Sequence, residues 1–271
     1  VDRDMLNQWQ AVNVVSDGSN VYIAAVDQKS LKKGTVISMD STSGESWKNL
    51  GRSLLKSILT LGFNGYSMSQ SIRGIALDPS GNLMVNDTND FIYQLPTPKF
   101  DVKKVKAGLS QAIDIAATAN GVYLTTTTGL QKFDSSLTSG TPVGGINPTG
   151  GLGTDASGNV YVVTGNAITK IDASGNATKV ITSDLTAPVD VAVGTGGNFF
   201  VLDSGSVKEF EPSGKLKGSF GNGDFPQGMG LTTDSMGALY VADFGNNHKD
   251  SQIVKYEKGG GSSFTTQSIR Y

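Results

Sequence analysis

Several short oxygen-bearing side chains stand at one repeated place in the sequence, and they are the residues best suited to chemistry. Each ends a run of β-branched and apolar residues, three positions after an aromatic residue or a Met. The set consists of Asp87, Thr126, Thr164, Asp203 and Asp243, and Asn246 and Asn247 follow the last of them. If these runs are strands around a channel, the set presents a polar, partly acidic ring at the channel mouth. Such oxygens suit Ca²⁺ or Mg²⁺, whereas the same short side chains also cap turns by bonding nearby backbone.

The other titratable candidates are one histidine and a group of aspartates in turns. His248 lies beside Asn247 and Asp250, where it is either a general base or a solvated loop residue. Four aspartates superficially resemble calcium loops, namely Asp78, Asp155, Asp172 and Asp234. They lack the spacing and the terminal Glu of an EF-hand loop, so we expect them to cap turns. The absence of Cys and the single His exclude a thiol nucleophile and a multi-histidine zinc site.

The overall composition excludes further classes of protein. The 271 residues include 35 Gly and 8 Pro but only 22 basic and 24 acidic residues, with a net charge of −2. This balance leaves no basic face for a nucleic-acid binder, and no apolar run approaches the roughly 20 residues of a membrane span. The Ser/Thr/Gly/Asn-rich, cysteine-free composition is typical of an exported protein, so we expect an extracellular, cell-surface or periplasmic location.

A repeat of about 40 residues determines the expected fold. An apolar run, a turn containing Asp or Gly, and a second run with an aromatic residue or Met recur six times. The anchor positions of this repeat are Tyr22, Met84, Tyr123, Tyr161, Phe200 and Tyr240. Their spacings are 62, 39, 38, 39 and 40 residues, so the first unit carries an insert. Because a unit of this length holds four short strands, the sequence predicts an all-β, six-bladed β-propeller with four-stranded blades, a single domain over residues 1–271.

The last unit matches a known repeat pattern. It contains Pro226-Gln227-Gly228, Gly230-Leu231-Thr232-Thr233-Asp234, Leu239-Tyr240-Val241-Ala242-Asp243, Gly245-Asn246-Asn247 and Ile253-Val254-Lys255-Tyr256. In these residues the chain resembles the NHL-repeat family of six-bladed propellers, although segment 248–252 stands where that family usually has an Arg. The resemblance implies a ligand-binding face but no single chemistry, because the fold serves binding, scaffolding and catalysis. The lactonase and gluconolactonase branch of the family has a central Ca²⁺, but no Glu lies in the corresponding strands here.

The insert of the first unit has the pattern of a short amphipathic helix at about residues 45–63. Its apolar positions, which include Trp47, Leu54 and Ile58, recur at intervals of three and four residues. Lys48 and Arg52 step by four on the other side. The helix is expected either to pack on the rim of its own propeller, or to dock a partner through Trp47, Leu54 and Ile58, or to contact a membrane surface.

The sequence therefore favours a non-catalytic, exported binding or assembly module that uses its propeller faces. Its partner is expected to be a protein or a second copy of the chain, and no cofactor is required. The alternative is a divalent-metal-assisted lyase or lactonase, with Ca²⁺ or Mg²⁺ held at the mouth of the central channel.

Overall fold

The computed structural model describes residues 9–27, 34–40, 55–59, 72–87, 91–95, 103–106, 111–134, 136–137, 140–245, 251–258 and 264–270. These residues form β-strands joined by turns, and no helix occurs among them. The described part of the chain accordingly has no helix long and apolar enough to cross a membrane. The prediction of an all-β fold is confirmed.

The strands form six four-stranded antiparallel sheets, each made from four consecutive strands. The first sheet contains β1 (Trp9–Ser16), β2 (Asn20–Asp27), β3 (Gly34–Asp40) and β4 (Leu55–Leu59). The second contains β5 (Ile72–Leu77), β6 (Leu83–Asp87), β7 (Ile92–Leu95) and β8 (Lys103–Lys106). The third contains β9 (Ala112–Thr118), β10 (Gly121–Thr126), β11 (Gly129–Phe133) and β12 (Gly140–Val143).

The second half of the chain repeats this order. The fourth sheet contains β13 (Leu152–Thr154), β14 (Val160–Val163), β15 (Ile168–Ile171) and β16 (Ala177–Ile181). The fifth contains β17 (Pro188–Val193), β18 (Phe199–Asp203), β19 (Ser206–Phe210) and β20 (Leu216–Phe220). The sixth contains β21 (Gly228–Thr233), β22 (Leu239–Asp243), β23 (Gln252–Lys258) and β24 (Phe264–Arg270).

The sheets are arranged as the blades of a β-propeller. The first strand of each sheet contacts the first strand of the next, and β21 contacts β1, so the innermost strands close a ring. Because strands alternate in direction, the turns from second to third strands and the connections between blades share one face. The turns from first to second strands and from third to fourth strands share the opposite face. We call these the connection face and the turn face.

Apolar side chains fill the spaces between neighbouring blades. All six anchor positions of the sequence repeat lie on the second strands and are buried. Tyr161 of the fourth blade packs edge-to-face on Phe199 of the fifth, with 5.1 Å between ring centroids. One buried cluster joins Val14 of the first blade to Tyr240 of the last. The repeat predicted these positions because a four-stranded sheet cannot bury both of its faces alone.

The aspartates at the turn face cap turns, as predicted. Asp155 shows the arrangement, because its Oδ1 accepts hydrogen bonds from the backbone N–H groups of Ser157 and Asn159 at 2.9 and 3.0 Å. Its Oδ2 accepts from the Asn159 amide at 2.7 Å and from the Tyr161 hydroxyl at 2.8 Å. The anchor tyrosine is thereby fixed to the turn that precedes its own strand. Asp78, Asp172 and Asp234 likewise accept backbone N–H groups of their own turns.

The predicted helix in the first blade is wrong for the residues that the structure describes there. Leu55–Leu59 is strand β4, and Ile58 pairs with Ile37 of β3. Trp47 and Leu54 lie outside the described residues. A segment rich in Leu and Ile satisfies helical and strand spacing equally, and here the unpaired edge of β3 supplies backbone partners that an isolated helix lacks.

Candidate functional site

The predicted ring residues lie where their repeat places them, at the ends of second strands on the connection face. Four of them are the last residues of their strands and are buried, namely Asp87, Thr126, Asp203 and Asp243. Thr164 directly follows β14 and is half-buried. Asn246, Asn247 and His248 lie outside the described residues.

Asp203 binds the connection that leads into its own blade. Its Oδ1 accepts hydrogen bonds from the backbone N–H groups of Thr186 and Ala187, at 3.1 and 2.6 Å. Lys208 on β19 forms an ion pair with Oδ2 at 2.6 Å, and the same ammonium group donates to the carbonyl oxygen of Asp184. The side chain of Asp203 is fully buried. It therefore acts as an anchor for the 184–187 connection.

Asp243 and Asp87 are used in related ways. The Oδ1 of Asp243 accepts from the backbone N–H of Gln227 at 3.0 Å, and burial raises the pKa of this carboxyl group. Asp87 instead accepts from the backbone N–H of Phe91 and from the hydroxyl of Tyr93, both at 3.0 Å. Both oxygens of Asp87 therefore carry protein donors.

The two threonines of the set cap turns. Thr126 donates its hydroxyl to the carbonyl of Gly129 at 2.8 Å and accepts from the backbone N–H of Thr128. The hydroxyl of Thr164 lies 2.7 Å from that of Thr169. Each of the five ring residues that the structure describes thus bonds mainly within its own blade and its connecting loops. The structure does not bring these five together into one cluster.

These residues do not fit a divalent cation as they stand. A cation needs several oxygens that point at one place with free lone pairs. The carboxylates of Asp87, Asp203 and Asp243 point at backbone N–H groups, a tyrosine hydroxyl or an ammonium group of their own blade. Within the described ranges, no group of three His, Asp or Glu side chains could hold a metal ion.

A different polar cluster lies on the propeller axis, and sequence analysis missed it. In each blade, the anchor residue on the second strand pairs with a residue of the innermost strand. The position of interest lies two residues before that paired residue, on the innermost strand or directly in front of it. Around the ring these six residues alternate between a polar side chain and glycine, in the order Asn13, Gly74, Asp114, Gly151, Asp190 and Gly230. We call Asn13, Asp114 and Asp190 the hub. All three are buried.

The glycines make room for the hub. A Cβ atom at Gly151 would collide with the Oδ1 of Asp190 and would lie 2.8 Å from the Oδ2 of Asp114. A Cβ atom at Gly230 would lie 2.5 Å from the Oδ1 of Asn13. The two carboxyl groups therefore converge on the space over Gly151. Only three of the six positions can carry a side chain, which accounts for the alternation.

The hub joins blades to one another through backbone hydrogen bonds. Asp114 accepts at Oδ2 from the N–H of Leu152 in the next blade, at 3.2 Å. Asp190 accepts at Oδ2 from the N–H of Leu231 in the last blade, at 2.9 Å. The side-chain amide of Asn13 in the first blade donates to the Oδ1 of Asp114 at 2.9 Å. These three bonds link the first, third and fourth blades to one another and the fifth blade to the sixth.

Burial dominates the electrostatics of the hub. It raises the pKa of the Asp114 carboxyl group to about 7, against hydrogen bonds from Ile115, Leu152 and Asn13 that favour the ionised form. Burial also raises the pKa of Asp190 well above its ordinary value, and the charge of Asp114 adds to this effect. A charged carboxylate is costly in a site removed from water, and two of them close together cost more.

The hub forms the floor of a central channel. A cavity of about 250 Å³ is lined by the innermost strands from Asn13, Asp114 and Asp190 to Ser16, Thr154 and Thr233 near the turn face. Besides the three hub side chains, its lining residues are apolar or carry hydroxyl groups. The channel therefore has a polar, titratable end and walls that carry no other charge.

A second cavity opens on the connection face of the fourth blade. It has a volume of about 480 Å³, and its polar lining consists of Asn147, Thr149, Thr164, Thr169 and Lys179. Asn147, Thr149 and Lys179 are exposed. None of the lining residues is acidic. We call this cavity the blade-4 cleft. Thr164 is the one residue of the predicted ring that lines it.

Comparison with known proteins bears on the fold alone. No protein-family model matches the chain, and no curated protein matches it by sequence. Solved structures do match. A chain of the nidogen/laminin complex has a TM-score of 0.68 at 15% identity, covering 88% of this chain and 91% of that one. Virginiamycin B lyase from Staphylococcus aureus has a TM-score of 0.62 at 14% identity, covering 96% and 84%.

A gluconolactonase from Xanthomonas campestris also matches, with a TM-score of 0.57 at 11% identity over 73% of this chain and 75% of that one. The protein has the β-propeller fold. Because these neighbours include enzymes and a protein of a binding complex, the shared fold is compatible with either function.

Proposed function

We propose that the protein is a non-catalytic binding or assembly module that uses its connection face to hold a protein partner. The observation that carries this proposal is the hydrogen bonding of the acidic residues at that face. The carboxylate oxygens of Asp203 and Asp243 accept hydrogen bonds from backbone N–H groups of the blade connections. They shape a fixed loop surface, and they are not presented to a substrate.

The blade-4 cleft is the feature of that face best suited to a partner. Its exposed lysine, Lys179, has no acidic partner among the described residues, and hydroxyl and amide groups surround it. Such a cleft fits an extended segment that presents a carboxylate to Lys179 and backbone groups to Asn147 and Thr149. The partner is therefore a protein segment with an acidic side chain or a free C-terminus.

The exported or cell-surface location inferred from composition belongs to the same proposal. A Ser/Thr/Asn-rich surface with few charges suits a module that meets its partner outside the cell. The nidogen/laminin neighbour shows that a propeller of this shape occurs in a protein complex. If the partner is a second copy of the chain, the protein self-associates through the same face.

The second candidate is a divalent-metal-assisted lyase or lactonase working in the channel. The hub favours it, because two buried carboxyl groups with raised pKa values at the end of a cavity are typical of acid–base sites. The lyase and gluconolactonase neighbours have the same fold. Against it, every hub oxygen already accepts a hydrogen bond from the protein.

A peptide-selection experiment tests the binding function. The protein is used to select from a displayed random-peptide library, and the selected peptides are measured against Lys179→Glu and against Lys215→Glu. Lys215 is an exposed lysine at the opposite, turn face and is the matched control. We expect acidic peptides that lose at least tenfold in affinity with Lys179→Glu and are unaffected by Lys215→Glu.

Equal binding by both variants would exclude the blade-4 cleft as the binding site. Sedimentation velocity on the same three proteins tests self-association, which Lys179→Glu should abolish if a second copy is the partner. Turnover of lactones or esters in the presence of Ca²⁺ or Mg²⁺ would instead establish the enzymatic alternative.

A further inference from the structure

The two hub carboxyl groups face each other across Gly151. Their four oxygens receive hydrogen bonds from the backbone N–H groups of Ile115, Leu152, Val191 and Leu231 and from the Asn13 amide. All five donors are neutral. Two ionised carboxylates here would hold two negative charges beside Gly151 with no counter-charge.

Among the residues that the structure describes, the elements packed around the hub supply no such charge either. On β5, Arg73 lies next to Gly74 but is exposed to solvent. On the second strands behind the ring, Asp87, Asp203 and Asp243 are themselves acidic, and Lys208 is bound to Asp203. The residues lining the channel beyond the hub carry no titratable side chain. The hub must therefore reduce its own charge.

A proton held between the two carboxyl groups does this most simply. Like-charged carboxylates that share a buried site titrate as a pair, and one of them keeps its proton well above the ordinary range. The third hub position carries an uncharged side chain, that of Asn13. Its Oδ1 accepts from the N–H of Val14 at 2.7 Å, the same bond that Asp190 makes to Val191.

We propose that Asp114 and Asp190 share one proton at neutral pH, and that the loss of this proton loosens the ring of blades. The hub is thereby a pH-sensitive lock in the propeller, independent of what the connection face binds. When both carboxylates are charged they repel each other across Gly151. The bonds that this movement breaks are those to Leu152 and Leu231, which join the third blade to the fourth and the fifth to the sixth.

The direction of the pH effect follows from the raised pKa of each carboxyl group. A raised folded-state value means that the stabilising, protonated form is complete below the ordinary aspartate range. It is lost as the pH rises through the folded-state value. Stability should therefore decrease from mildly acidic to mildly alkaline pH, the reverse of the effect of ordinary surface carboxylates.

Thermal melting between about pH 5.5 and 8.5 tests the proposal. The wild-type melting temperature should fall by about 3 °C or more across this window. Asp190→Asn, which copies the residue type at position 13, should remove most of that fall. Glu211→Gln removes an exposed acid at the turn face and is the control that should leave the fall unchanged.

Infrared spectroscopy gives a second reading that does not depend on how well the variant folds. A buried protonated carboxyl group has its own carbonyl band, distinct from that of carboxylates. The wild-type protein should show this band at neutral pH and lose it at alkaline pH. Absence of the band at neutral pH, or an unchanged pH dependence in a folded Asp190→Asn variant, would overturn the proposal.

Discussion

The carboxyl group of Asp114 accepts the backbone N–H of Leu152, a residue of the next blade, at 3.2 Å. Asp190 repeats the contact two blades further on, with the N–H of Leu231. Hydrogen bonds to buried charged groups contribute about 1.5–3 kcal/mol, more than neutral ones. The axis of this propeller is therefore a place where side chains, and not only stacked sheets, hold neighbouring blades together.

Gly151→Ala should destabilise the protein severely. The new methyl group would meet the Oδ1 of Asp190 and the Oδ2 of Asp114, both of which are fixed by backbone donors. Overpacking of this kind costs about 1–3 kcal/mol, and displacing a buried hydrogen bond adds to it. The free energy of unfolding in urea is the measurement.

Gly218→Ala is the matched control for that substitution. Gly218 is exposed on the outer strand β20, and a Cβ atom there meets nothing within 4 Å. We expect a change within about 0.5 kcal/mol. If the two alanine variants were equally stable, the close packing of the hub described above would be incorrect.

Asp155→Asn should change the acid side of the stability profile. Burial alone would raise the pKa of Asp155, but hydrogen bonds from Asn159, Tyr161 and Ser157 outweigh it and lower the pKa. A lowered folded-state pKa gives stability that is present above the ordinary aspartate range, and it is lost as the pH falls through the folded-state value. The melting temperature of wild type should thus fall more steeply below about pH 4 than that of the variant.

The exposed turn at Asp172 allows a comparison. Its pKa is also lowered, chiefly by Asn176, but no tyrosine hydroxyl bonds to it. Asp172→Asn should therefore change the melting temperature at acidic pH less than Asp155→Asn does. A larger effect at Asp172 would mean that the link between Asp155 and Tyr161 is unimportant for the acid response.

How far the sequence predicted the fold can be judged from the anchors and the insert. Tyr161 and Tyr240 were identified by spacing alone, because a β-propeller repeats both the length of its blade and the place of its buried aromatic residue. The insert was predicted wrongly because its apolar spacing fits a helix and a strand equally well. Leu55 and Ile58 satisfy a helical period, but the outer edge of a three-stranded sheet accepts a fourth strand.

The site was predicted less well, because it depends on contacts between blades. Asp203 and Asp243 were placed correctly at strand ends, yet the sequence does not reveal that connection N–H groups occupy their oxygens. The hub did leave a signal in the aligned repeats, where Asp114 and Asp190 alternate with Gly151. That alternation becomes informative only once the ring brings the six positions together on one axis.

Asp203→Ala should damage the connection face as well as stability. It removes the acceptor for the N–H groups of Thr186 and Ala187 and leaves Lys208 without its carboxylate. Breaking a buried pair by removing one partner costs about 3–5 kcal/mol. Urea unfolding gives the loss of stability, and hydrogen exchange should show faster exchange confined first to the 184–187 connection.

Thr127→Ala is the control for a polar truncation on the same face. Its hydroxyl donates to the exposed Gln111 side chain, so water can replace that bond. We expect about 0.5 kcal/mol or less. Unchanged stability of Asp203→Ala would contradict the anchoring role and leave the acid free for other chemistry.

Melting in EDTA and then in millimolar Ca²⁺ or Mg²⁺ should give the same transition temperature. The carboxylates of Asp87, Asp203 and Asp243 already bind protein donors, so a cation would have to displace them. A specific ion at about 100 times its dissociation constant would add about 2.7 kcal/mol of stability. Such a shift, if abolished by Asp203→Ala plus Asp243→Ala, would favour the metal-assisted enzyme over the binding module. A shift that Asp114→Asn abolishes instead would locate the ion at the hub, where it would take the place of the shared proton.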